Sequence, residues 1–258
     1  MGIPPEQRKE WEQLRVPVTL LGLLAIAGLA AACGGTTATT SSPAPTYRAV
    51  VREDLAVMPL SQSELGSEYQ ALPTDSGSGY LTSADIADNT TDPSDTAADI
   101  ENAGWVTSYG ISYTDPSLIA LTTGQGAFSI SASFDLFKDD QSAEAFLHKQ
   151  LADEEKYKGQ TLSAGITLQN ASQFNVTGGD QGFGLNEQDD LGGGKTGYGW
   201  IAGFRLGSLI ASVQISRGDN NDMTATMVQL VRSLETRVHG VLNGTVKDTP
   251  IPLPTATP

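Results

Sequence analysis

Gly194-Lys195-Thr196 has the ending of a phosphate-binding loop, where backbone N–H groups cradle a phosphate and a lysine neutralises it. Such a loop needs a glycine five residues before Gly194. That position is Asp189, beside Asp190, and two carboxylates repel a triphosphate. Gly192-x-Gly194-x-x-Gly197 also matches the dinucleotide-binding spacing. No strand precedes it and no helix opens from it, so a helix dipole has no phosphate to hold. A hairpin loop accounts for these glycines better.

Asp75-Ser76-Gly77-Ser78-Gly79 has the look of a nucleophilic serine turn, but a triad also needs a histidine. The two available, His148 and His239, fall on polar parts of amphipathic helices, where solvation or the helix C-terminal dipole explains them. Asp180, Glu187, Asp189 and Asp190 fall in one glycine-rich stretch and have the hard oxygens that calcium takes. Asp219, Asn221 and Asp222 form a shorter group without the glycine and closing glutamate of a hand-type loop. Solvated loop charge is the simpler reading of both, and no Cys/His set has metal-ligand spacing. The expectation is therefore no catalytic residue, no metal and no cofactor. One further chemistry is stacking. Trp105, Tyr109 and Tyr113 alternate along one segment, and Tyr198 and Trp200 along another. On adjacent strands they form either ordinary core or, beside an open cleft, an apolar ligand-binding wall with polar edges.

The elements that carry these residues follow from periodicity. Trp105 to Tyr113 alternates as a strand. Phe128, Ile130, Ala132, Phe134 and Leu136 face one way along a second strand, with Ser129, Ser131, Ser133 and Asp135 on the other side. Tyr198, Trp200, Ala202 and Phe204, a Gly207-Ser208 turn, then Leu209, Ala211, Val213 and Ile215 read as a hairpin. Weaker strands are expected near 162–168 and 173–176, leading into a loop over 178–197. Ser61 caps a short helix with Glu64 in the capping-box position, and Asp92-Pro93 opens another through Ile100 with Gly104 behind it. Asp139 or Asp140 starts a helix whose stripe is Ala143, Phe146, Leu147, Gln150, Leu151 and Tyr157. A last helix from Asp222 carries Met223, Met227, Leu230, Val231, Leu234 and Val238. Hairpin strands with long helices inserted among them predict an α+β fold, a single domain with helices packed on one face of an antiparallel sheet.

The ends are not globular. Residues 16–32, VPVTLLGLLAIAGLAAA, carry no charge, follow a polar segment with Arg8, Lys9 and Arg15, and end in small residues, as a signal peptide does. Cys33, the chain's one cysteine, comes next, followed by a Thr/Ser/Pro tract. Leu29-Ala30-Ala31-Ala32-Cys33 resembles the lipobox of bacterial lipoproteins, with Ala30 where Leu, Val or Ile is usual. The resemblance implies cleavage after Ala32, acyl chains on Cys33 and attachment to the extracytoplasmic face of the cell membrane. Ordinary signal-peptidase cleavage or an uncleaved anchor are the alternatives. The expected organisation is a signal peptide over 1–32, a lipidated cysteine and linker over 33–46, the domain over 47–244 and a disordered Pro/Thr-rich tail over 245–258. A lone cysteine forms no internal disulfide, so the domain relies on core packing. The formal charge is −15, all of it kept by the part beyond residue 32, which makes nucleic acid a poor partner.

The segments GWVTSYGISY, SFDLFKDDQSAEAF and GFRLGSLIASVQI, with the final helix, resemble poorly characterised exported lipoproteins and the extracellular sensor domains of mycobacterial-type serine/threonine kinases. Those sensors carry disulfides that this chain lacks. None of the segments is a catalytic motif. The resemblance implies a non-catalytic ligand-binding or sensor-like module whose partner is a small molecule or an envelope protein. The alternatives are an assembly lipoprotein that recognises a partner protein and, third, a hydrolase.

Overall fold

Alternating apolar and small residues build the centre of the molecule. The structure is a computed structural model and describes residues 47–253 except 118, 163–165, 249 and 252. The strands are β1 (Gly79–Leu81), β2 (Trp105–Thr114), β3 (Ala127–Phe137), β4 (Thr167–Gln173), β5 (Gln181–Asp190), β6 (Thr196–Leu206) and β7 (Leu209–Arg217). They form an antiparallel sheet in the order β1-β2-β3-β7-β6-β5-β4. The helices are α1 (Arg52–Leu55), α2 (Gln62–Leu65), α3 (Ser83–Ala87), α4 (Ala97–Asn102), α5 (Ile119–Thr123), α6 (Asp140–Tyr157) and α7 (Thr224–Leu242). The chain leaves β3 through α6 to the far edge at β4, then returns by hairpins until β7 pairs with β3. The expected single α+β domain is present.

The helices do not share one face. Trp200, Ala202 and Phe204 of β6 point with Leu209, Ala211, Val213 and Ile215 of β7 toward Met227, Leu230, Val231, Leu234 and Val238 of α7, and α1, α2 and the residues between them close this side. Ile201 and Ile210 point the other way, with Phe183 and Leu185, into a second core under Ala143, Leu147 and Leu151 of α6. The reason is local: β6 and β7 carry apolar residues on both faces, so each side of that half needs a cover. Each fully buried Leu, Ile or Val in these layers contributes about 1.5–3 kcal/mol of burial free energy.

Turn and cap chemistry fixes the ends. Gly207, at φ 57°, opens the two-residue turn that pairs Leu206 with Leu209, as expected of the β6–β7 hairpin. Asp139 caps α6 by accepting from the Ser142 N–H at 2.7 Å, and Glu64 accepts from the Ser61 N–H at 2.7 Å. The helix expected from Pro93 starts later, at Ala97. Asp92 instead turns back on itself, accepting from the Ser94 N–H at 2.9 Å, and Thr96 is the cap, with Asp99 completing its box. Replacing Thr96 by alanine should cost on the order of 1 kcal/mol, read as a lower urea midpoint. An unchanged midpoint would show that α4 is held by packing alone.

One further expectation is revised. The stretch 178–197 is not a loop but β5 and the start of β6. Gly182 and Gly184 hid the strand from a reading by side-chain type, yet they are needed: a Cβ at Gly182 would lie 2.3 Å from the Val176 carbonyl oxygen, and one at Gly184 2.6 Å from the Phe174 ring. The Pro/Thr-rich end, over its described part, lies against the domain. Val246 and Ile251 pack on the core, and the Thr245 and Val246 N–H groups donate to the Gly240 carbonyl at 2.8 and 3.0 Å. Apolar residues spaced through that segment give it surface to bury.

Candidate functional site

Cys33, with the segments 1–32 and 33–46, lies outside the described residues. Among the described residues no helix is long and apolar enough to cross a membrane.

The five aromatic residues do not come together as one wall. Tyr109, Tyr113 and Trp200 are each buried in the core beneath α7, and Tyr198 packs partly buried against the same cluster. Trp105 is on the opposite face. A bulge in β2 between Trp105 and Thr107 breaks the alternation, so Trp105 pairs with Phe137 and packs between the α6 core and Ile86, Ala87 and Ile100 of α3 and α4. The serine turn and the histidines are also apart. Ser78 Oγ accepts from the Ser112 N–H at 3.0 Å. His148 Nε2 lies 3.3 Å from Gln181 Nε2, while His239 stacks on the Tyr47 ring at 4.4 Å between centroids. Gly192, Gly193 and Gly194 make the β5–β6 turn, all at positive φ.

The side chains that do come together lie on the α6 face, and they are polar. Strand register lays them out in rows. One row runs Thr114, Ser129, Ser216, Gly199, Glu187; the next runs Ser112, Ser131, Gln214, Ile201, Leu185. A third begins Gly110, Ser133, Ser212, Gly203, and a fourth Ser108, Asp135, Ile210. The serine side of β3 looks like a solvent face in the sequence, yet Ser108, Ser112, Ser133, Asp135 and Ser212 are buried.

Within this face Trp105 Nε1 donates to Ser108 Oγ at 2.6 Å, Ser108 donates to Asp135, and Ser133 Oγ donates to the other Asp135 oxygen at 3.1 Å. Burial pushes the Asp135 carboxyl up to about 6, against the two hydroxyls that pull it down. Toward the other end Glu154 of α6 accepts from Thr91 and meets Glu187 and Asp189 of β5. Burial raises all three carboxyls, Glu154 and Asp189 to about 7 and Glu187 well above its usual range, with the charges of Glu154 and Asp189 adding to the last.

Several of these atoms have no hydrogen-bond partner: Gln150 Nε2, Gln214 Oε1, Glu154 Oε2, both Glu187 oxygens and Asp189 Oδ1. Buried polar atoms left open are rare, and these six fall on one face. Half-buried Ser129, Ser131, Gln214 and Ser216 connect the face to solvent. Among the described residues no three His, Cys, Asp or Glu side chains are arranged to hold a metal ion. The acidic residues weighed for calcium are divided: Glu187 and Asp189 point inward, whereas Asp180 accepts from the Gly207 N–H at 2.7 Å and Asp190 from the Gly192 N–H at 2.8 Å. The alternation of Glu187 and Asp189 with Gln188 and Asp190 was the sequence signal for this, obscured by the glycines on either side.

No family model matches the chain, and no curated protein matches it. Among solved structures it is similar to the extracellular domain of PknH from Mycobacterium tuberculosis, at 12% identity and a TM-score of 0.47 over 77% of this chain and 100% of that one.

Proposed function

We propose that this chain is an extracytoplasmic lipoprotein, tethered through Cys33, whose domain binds a small polar molecule without transforming it. The observation that carries the binding reading is the polar face under α6, where the Gln150 amide N–H of the helix and the Gln214 carbonyl oxygen of the sheet, in register with Ser131, are unpartnered. One open donor and one open acceptor suit a ligand that both gives and takes hydrogen bonds. The reading as a non-catalytic module rests on the separate engagements of Ser78, His148 and His239. The tether rests on the uncharged segment and small residues that precede Cys33.

Native mass spectrometry of the protein released from its own envelope, before and after denaturation, tests the binding reading. The expected result is an added mass lost on unfolding, and lost also from Gln214→Leu. A bare mass from a protein kept at native ligand concentrations would overturn it. Labelling with a fatty acid tests the tether: label on the native chain and none on Cys33→Ser is expected, and an unlabelled native chain would replace lipidation with ordinary secretion.

A further inference from the structure

We propose that α6 is held to the sheet by a proton-dependent latch, formed by Glu154 against Glu187 and Asp189, which tightens in acid and loosens as the medium becomes neutral to alkaline. This goes beyond ligand binding and stands on a different part of the face.

Glu154 and Glu187 are both fully buried, one on the helix and one on the strand beneath it. Glu154 meets Glu187 and Asp189 across the helix–sheet interface, and carboxyls brought together in this way repel unless at least one of them carries a proton. Thr91, from the loop between α3 and α4, donates to Glu154; Glu187 receives no donor at either oxygen. Opposite Glu187 and Asp189 on β6 are Gly199 and Gly197, and on β4 Ala171 and Leu168, so neither neighbouring strand supplies a charge. A Cβ at Gly199 would already lie 3.3 Å from a Glu187 oxygen.

The charges of the other surrounding elements are committed elsewhere or add to the repulsion. On α6, Lys149 pairs with Asp153 at 2.6 Å and with Asp95 at 2.7 Å, and Lys156 pairs with Asp92 at 3.1 Å. Lys158, just past α6, directs its ammonium to the Ala171 carbonyl at 3.4 Å. Asp153, beside Glu154, adds negative charge. Asp190 and Lys195 sit at the hairpin tip. A cluster of acceptors this closed, and not arranged for a metal ion, has the proton as its fitting occupant.

The sign follows from linkage. The unfolded or undocked glutamates release protons near their ordinary value of about 4.3, whereas burial raises Glu154 to about 7 and Glu187 well above its usual range, so the docked state binds more protons in between. The stabilisation is fully present below about pH 4 and is lost as pH rises through the raised values, about 7 for Glu154.

Hydrogen exchange of α6 in the full exported protein between pH 5 and 8, divided by the intrinsic rate at each pH, reads the latch. The opening equilibrium should rise by about tenfold per pH unit per proton released, the Glu154 contribution levelling off at about pH 7. Glu187→Gln should flatten that slope, and Glu154→Gln reads the same contact from the helix side if the first variant does not fold. Asp135→Asn, which removes the other raised carboxyl on this face, should keep it. A native chain with no slope, or equal slopes in the native and glutamine variants, would overturn the latch. So would protection restored at pH 8 by calcium in the native chain alone, because a metal would then hold these carboxyls.

Discussion

Replacing Trp200 by alanine is expected to cost about 3–5 kcal/mol, seen as a lower denaturant midpoint. The indole is buried between the sheet and α7, next to Ala202, Phe204, Val213 and Ile215 in register, and nothing nearby is free to refill the space. A domain of this size has about 5–15 kcal/mol in all, so the variant sits near the edge of folding. The result also separates the two readings of the aromatic residues. A ligand wall would give up Trp200 with little loss of stability and a large loss of binding. A loss under about 1 kcal/mol would remove Trp200 from the core and reopen the wall.

Gly203→Ala should be nearly as damaging although it adds one methyl group. A Cβ there would lie 2.1 Å from the Ala211 carbonyl oxygen, 2.8 Å from Ser212 Cα and 2.6 Å from the Phe183 ring. Two of those atoms are backbone of the neighbouring strand, so β6 and β7 would have to part. Overpacking costs about 1–3 kcal/mol, and the upper end applies where backbone must move. Combining Gly203→Ala with Phe183→Leu should not restore stability, because the ring is only one of the obstacles. If Gly203→Ala melts like the native chain, the register Gly203 to Ser212 is not the one the protein uses.

Much of the fold was legible because burial patterns repeat at short range. The alternation in β3, β6 and β7, the Gly207-Ser208 turn, the caps at Ser61 and Asp139, and the stripe of α7 all follow from neighbours within a few residues. Where the reading missed, a longer-range fact decided. The bulge after Trp105 turns that residue over, Thr96 rather than Pro93 starts α4, and β5 is held by partners that its glycines admit rather than by strand-forming side chains. The candidate site was the least legible part. Ser133 and Asp135 read as a wet face, and the acids at Glu187 and Asp189 as a solvated loop, since either is the ordinary state of such residues alone.

The sequence by itself determined the α+β class, the β6–β7 hairpin and the positions of the long helices, because periodicity and turn chemistry are local. It also carried the tethering expectation at Cys33, which is a matter of motif and not of tertiary contact. Only the tertiary structure decided which side of the sheet each helix covers. That choice turned a serine-rich strand face and two glutamates 33 positions apart in the chain, Glu154 and Glu187, into one buried polar cluster. The physical reason is that a polar residue's cost and chemistry depend on what excludes water from it, and here the cover comes from α6, α3 and α4, whose placement no local pattern specifies.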